Sequence, residues 1–188
     1  MSASTSSVMR IPKDKTAGLI IDMQERLFPF ISGKEELVRN VQVLIEGLRI
    51  LGIPLFVTEQ YPKGLGSTID SIASVTAGVE RHVKTAFSCC DEPALMEDLA
   101  LSGRDYVILA GIESHICVMQ TALDMLAHGM HPVVVEDCVS SRHLNDKVVA
   151  IERMRRAGVI ITTMESIIFE LLRYSGTENF KMISKLIK

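Results

Sequence analysis

The chain contains no tryptophan, and aromatic residues make up only 5% of its 188 positions. Its core must therefore be aliphatic, and a hydrophobic content of 47% supplies the material. Charge of one sign is also lacking: 20 Lys and Arg stand against 23 Asp and Glu, a net of −3. That balance gives no electrostatic draw toward nucleic acid or an anionic membrane, so neither is expected as a partner. No apolar run approaches the roughly 20 residues needed to span a bilayer. Cysteine is scarce, with Cys89, Cys90, Cys117 and Cys138 forming no framework of the small secreted kind. A reducing, cytoplasmic setting is expected. Residues 1–15 are Ser-rich and lack the apolar core of a secretory signal. They read as a disordered leader, with a mitochondrial presequence as the alternative.

What is present alternates. Ala17–Ile21 is an apolar run ending at Asp22, a buried strand with a carboxylate at its carboxyl end. Leu37, Val38, Val41, Leu44, Ile45 and Leu48 recur on one helical face over 35–51, stopped by Gly52 and Pro54. A strand follows over 54–58, then a loop from Glu59 to Thr76 with Pro62, Gly64 and Gly66. A short strand falls within 79–87, and Asp91 is the expected N-cap of a helix reaching Leu101. The run 106–110 is a strand, and from Cys117 the spacing of Val118, Thr121, Ala122, Met125 and Leu126 turns helical. Strands over 132–135 (ending at Glu136 and Asp137) and 159–162 follow, with helices over 145–157, 166–174 and 180–186. This alternation predicts one α/β domain over 16–188, a three-layer α-β-α sandwich with a mostly parallel, Rossmann-like central sheet. Ligands in such folds sit beyond the carboxyl ends of the strands, the edge that carries Asp22, Glu59 and Cys117.

Cys117 falls near a helix start, where the dipole and unpaired N–H groups favour a thiolate. A cysteine nucleophile also needs a base and an oxyanion hole. Asp22 can take the proton, Lys84 can stabilise thiolate and carboxylate, and the turn 112–117 can supply N–H donors. Each residue has an ordinary alternative. A lone cysteine is usually a small buried hydrophobe, an Asp after a strand usually a turn residue, and a Lys beside a strand usually a solvated charge.

Three stretches shift that balance: Gly18–Gln24, Val83–Ser88, and Gly111–Val118 with Gln120–Ala122. In order and separation they resemble the Asp–Lys–Cys triad of the isochorismatase-like cysteine hydrolases, over residues 16–172, nearest the isochorismatase-domain-containing and YcaC-like branch. The resemblance implies Asp22 as proton shuttle, Lys84 as electrostatic partner and Cys117 as nucleophile. It further implies a cis peptide between Ile112 and Glu113, with the N–H groups of Glu113 and Cys117 as oxyanion hole. Phe28, Gln60, Tyr61 and Phe87 are the implied pocket residues. The expected reaction is hydrolysis of a small amide or related carbonyl compound through a thioester, in a homo-oligomer. Retention of Cys117 argues against isochorismate cleavage, because relatives with that activity lack it.

The Asp-x-His-x-x-His metal motif of the family's nicotinamidases is missing from 58–66, so no metal is expected, and no cofactor. Gly64-Leu65-Gly66-Ser67-Thr68 lacks the Gly-Lys-Ser/Thr ending of a phosphate loop. His128 and His131 are a weak metal pair at a helix end, and His115 is read as shaping its turn. Two rivals remain: a non-catalytic scaffold using the apolar segments 167–174 and 180–187 for subunit contacts, and a nucleic-acid enzyme.

Overall fold

A computed structural model describes residues 10–188. In chain order these form β1 (Thr16–Ile21), α1 (Lys34–Ile50), β2 (Leu55–Gln60), α2 (Pro62–Leu65), α3 (Asp70–Val75), β3 (Arg81–Lys84) and α4 (Pro93–Ser102). Then come β4 (Tyr106–Ile112), α5 (Met119–Ala127), β5 (His131–Ser140), α6 (Leu144–Ala157), β6 (Ile160–Thr162), α7 (Met164–Leu172) and α8 (Glu178–Leu186). The strands lie in the order β3-β2-β1-β4-β5-β6, every neighbouring pair parallel. The expected three-layer α/β sandwich is thus observed, with a sheet that is parallel throughout.

Parallel pairing forces each connection to cross a face of the sheet, so both faces are covered. In β4, Tyr106, Ile108, Ala110 and Ile112 point into one core with α1, α7 and α8. Val107 and Leu109 point into the other, with α4, α5 and α6. The six residues of β1 are all buried, which is why they read as an unbroken apolar run. On α1, Leu37, Val41, Leu44, Ile45 and Leu48 are buried, each worth about 1.5–3 kcal/mol of transfer free energy.

Several expectations need correction. Of the leader, residues 1–9 lie outside the described residues, but 10–15 belong to the fold: Ile11 is buried and its N–H donates to Glu170 (2.8 Å). The loop 59–76 contains α2 and α3. Asp91 ends a 3-10 turn instead of capping α4; Pro93, which needs no N–H partner, starts the helix and holds Glu92 extended. β5 runs on to Ser140: Leu109 pairs with Val134 but Gly111 with Val139, so β5 bulges at Glu136–Cys138. The bulge lets Asp137 Oδ1 accept from Met164 N at the start of α7 (2.8 Å). The C-terminal helices turn Ile167, Ile168, Leu171 and Ile183 into the core, leaving less apolar surface for subunits than the sequence suggested.

Strand order reverses between β1 and β4. Doubly wound sheets bind ligands at such a reversal, beyond the carboxyl ends of the strands that flank it.

Candidate active site

Asp22 is the first residue beyond β1 and takes a left-handed conformation (φ 50°), which Asp tolerates better than most side chains. It is fully buried. Thr58 Oγ1, from the neighbouring β2, donates to Asp22 Oδ1 at 2.7 Å, and Lys84 Nζ, from the end of β3, donates to Oδ2 at 2.7 Å. Lys84 Nζ also donates to Gln60 Oε1 (2.7 Å) and to the carbonyls of Ala86 and Phe87 (3.2 Å each). Three N–H donors thus serve four oxygens, and the ammonium is fully satisfied without water. Burial alone would lower the lysine pKa. Asp22 first, and the nearby thiols after it, outweigh that and hold it above the usual lysine range.

The thiol arrives from β4. Gly111 makes this possible: its φ is +118°, and a Cβ there would sit 2.1 Å from the Ile21 carbonyl oxygen. Only glycine lets β4 pass β1 this closely. The Ile112–Glu113 peptide is cis. One wide helical turn, Ser114–Val118, follows, closed by Val118 N donating to Glu113 O (3.3 Å), and leads straight into α5. Such turns recur at functional sites. Cys117 sits in it, 7% exposed. Ser114 Oγ is buried with no hydrogen-bond partner among the described residues, an uncompensated cost of about 1–3 kcal/mol.

Burial opposes the thiolate that a helix start favours. Burial foremost, and then the Asp22 carboxylate with its hydrogen bond to the thiol, push Cys117 well above the thiol range; Lys84 only partly offsets them. The thiol thus lies in a buried site beside a carboxylate that is ion-paired to Lys84.

The structure therefore brings Asp22, Lys84 and Cys117 together. Gln60 belongs to the cluster as a partner of Lys84, and its Nε2 donates to Thr85 O (2.7 Å). Phe87 contributes its carbonyl to Lys84 while its ring is half-exposed, and Tyr61 N donates to Lys84 O (2.9 Å). Phe28 opens a 3-10 turn (Phe28–Phe30) beyond β1 and packs partly on the core. Glu59 does not join: its Oε1 accepts from Thr68 N (2.8 Å) and Thr68 Oγ1 (2.7 Å), pinning the segment between α2 and α3. His128 and His131 go separate ways, His128 Nδ1 to Asp124 O (2.7 Å) and His131 stacking on Tyr106.

Two neighbours were missed in the sequence. Thr58 orients Asp22, and Cys89 is a second buried thiol, its Sγ 4.0 Å from Thr58 Oγ1 and its N–H donating to Thr121 Oγ1 (2.9 Å). Burial above all lifts Cys89 to about 12. A Thr two residues before Gln60 on the neighbouring strand was a legible signal for the first; nothing in the local pattern marks the second. No grouping of three or more His, Cys, Asp or Glu suited to a metal occurs among the described residues. Nor is any helix among them long and apolar enough to cross a membrane.

A thiol, a carboxylate and an ammonium are thus gathered at the switch point of a doubly wound parallel sheet. The chain belongs to the isochorismatase family, whose domain matches residues 16–166. Isochorismatase domain-containing protein 1 of Salmo salar is 42% identical over 167 residues, covering 89% of this chain and 59% of the relative. The chain thus spans about three fifths of the length of the first curated relatives it matches. Among solved structures, the MAR1 ribonuclease of Caenorhabditis elegans shares 40% identity at a TM-score of 0.89, covering 95% of this chain and 92% of that one. The YcaC gene product of Escherichia coli, an octameric hydrolase of unknown specificity, has the same fold at 20% identity, with a TM-score of 0.90 and coverage of 97% and 92%.

Proposed function

We propose that the chain hydrolyses a small amide or related carbonyl compound, with Cys117 as nucleophile. One observation carries this reading: the fold buries Asp22, Lys84 and Cys117 together at the strand ends, with Lys84 Nζ 2.7 Å from Asp22 Oδ2 and both charges acting on the Cys117 thiol. In the proposed cycle Asp22 takes the thiol proton as Sγ attacks the carbonyl carbon. The N–H groups of Glu113 and Cys117 receive the developing oxyanion. Collapse expels the amine, which leaves with the proton from Asp22. Water, deprotonated by Asp22, then opens the thioester and restores the thiol. Lys84 stays paired with Asp22 and offsets the negative charge that passes between the carboxylate and Cys117 Sγ. Phe28, Gln60, Tyr61 and Phe87 border the substrate, and association with further copies of the chain is part of the reading.

The test is a screen of small primary amides, carbamoyl compounds and esters, wild type against Cys117→Ala, with acid-quenched intact mass to trap an acyl adduct. Activity and a Cys117 adduct in the wild type alone are expected. Hydrolysis that survives Cys117→Ala unchanged would remove the thiol from the mechanism.

The ribonuclease name of the Caenorhabditis elegans relative favours a second reading, hydrolysis of RNA. A net charge of −3 offers little for a phosphate backbone. Titration with a short single-stranded RNA at two salt concentrations separates the two: tight binding with a steep salt dependence would favour RNA.

A further inference from the structure

We propose that Arg142 and Ser141, at the end of β5, are positioning residues that set the turn carrying the oxyanion donors. The proposal rests on the hydrolytic reading of Cys117 and adds the device that shapes its hole.

The two residues grip the turn at alternate positions. The Glu113 side chain is 5% exposed, and its Oε2 accepts from Arg142 N at 2.9 Å. Arg142 Nε reaches both carboxylate oxygens at 3.2 Å. Next to it, Ser141 Oγ, fully buried, pairs with His115 Nδ1 at 2.9 Å. Residues 113 and 115 are therefore tied, with Ser114 between them and Cys117 two residues beyond His115. The grip is itself anchored: Ser141 O accepts from Ser32 N (3.0 Å), and Ser140 Oγ donates to Ser32 O (2.7 Å). On its far side His115 Nε2 stands 3.8 Å from Asp146 of α6.

A buried carboxylate is costly unless it is paired, and an apolar residue would fill the same space without that cost. Its placement has a geometric consequence. The Glu113 N–H is one donor of the proposed hole, and the Glu113 side chain is held by three contacts. Rotating the backbone of residue 113 would break them. The clamp thus fixes a donor direction that matters only when negative charge develops on the substrate oxygen.

Two electrophiles read this selectively at Cys117 in the full-length protein. Acrylamide reacts by conjugate addition: the S–C bond forms at the terminal carbon, the C=C pair moves toward the amide oxygen as an enolate, and the thiol proton, carried by Asp22, ends on the adjacent carbon. Iodoacetamide reacts by displacement of iodide and develops no oxyanion. Arg142→Gln is expected to slow acrylamide addition roughly tenfold while leaving iodoacetamide within about twofold. Arg142→Lys should recover part of the loss, and Ser141→Ala should shift the same ratio. The pair Glu113→Gln with Arg142→Gln should lose no more than Arg142→Gln alone, because Arg142 acts through Glu113.

A wild-type Cys117 that shows no preference for acrylamide, relative to a small free thiol, refutes the hydrolytic reading itself. A wild-type preference that survives Arg142→Gln intact, or a variant slowed equally toward both reagents, refutes the clamp alone.

Discussion

Lys84 Nζ stands 2.7 Å from Asp22 Oδ2, and neither side chain has any surface in water. The two strands that deliver them are not neighbours, because β2 lies between β1 and β3. The lysine reaches across β2 and touches its Gln60 on the way. Three adjacent strands are thus tied at their carboxyl ends by one ammonium.

Taking one partner from such a pair strands the other's charge. Lys84→Met and Asp22→Asn should each lower stability, Lys84→Met by about 3–5 kcal/mol. The double substitution should cost less than the sum of the singles by about 1–3 kcal/mol. Urea denaturation of the four proteins measures the cycle, and strict additivity would show that the pair carries no coupling.

Alkaline stability follows from the thiols. In the unfolded chain they ionise near pH 8.5 or so, whereas burial holds Cys89 protonated to about 12. Between these values the folded chain binds more protons than the unfolded one, so stability falls as pH rises. Each such thiol contributes about 1.4 kcal/mol per pH unit to the slope. Cys117 and Cys138, both raised chiefly by burial, act in the same direction, and Lys84 joins them above the usual lysine range. Below about pH 8 these groups add no slope. Urea midpoints from pH 8 to pH 11 should decline, less steeply in Cys89→Ala; a flat profile would contradict the burial argument.

Gly111→Ala should be among the most damaging single methyl additions in the protein. The new Cβ would lie 2.1 Å from a backbone oxygen that cannot move aside without separating β1 from β4. A loss beyond about 4 kcal/mol is expected. Gly103→Ala is the control: its φ is also positive (+65°) but its Cβ would meet nothing within 4 Å. Its cost should stay near the roughly 1–2 kcal/mol of left-handed strain. Thermal melts of both variants decide the matter, and equal losses would mean that the close approach is not what requires glycine.

The long elements were legible because their apolar pattern is repeated: the unbroken run of β1 and the helical face of α1 need no partner to be recognised. α2 and α3, at four and six residues, are too short for a period to show, and they passed as loop. β5 was cut short at Val135 because Glu136 and Asp137 sit on a bulge instead of alternating across the sheet. Lys84 is the instructive case. By composition a lysine belongs in solvent, and only Asp22, Gln60 and two carbonyls, brought in by the fold, make its burial tolerable. Glu113 and Arg142 are hidden for the same reason, since their contact spans the whole β4–α5–β5 crossover.

The wide interval between β1 and β4 in the sequence has a temporal consequence. They are neighbours in the sheet, yet residues 22–105 must be made between them. A ribosome releases β1 with its carboxylate long before it releases Cys117, and the thiol stays an ordinary cysteine until β4 docks. No proteolytic fragment lacking either strand can hold the pair. The chemistry proposed for this edge therefore waits until β4 has been made and has docked, which keeps a polypeptide ending before it from carrying an armed site.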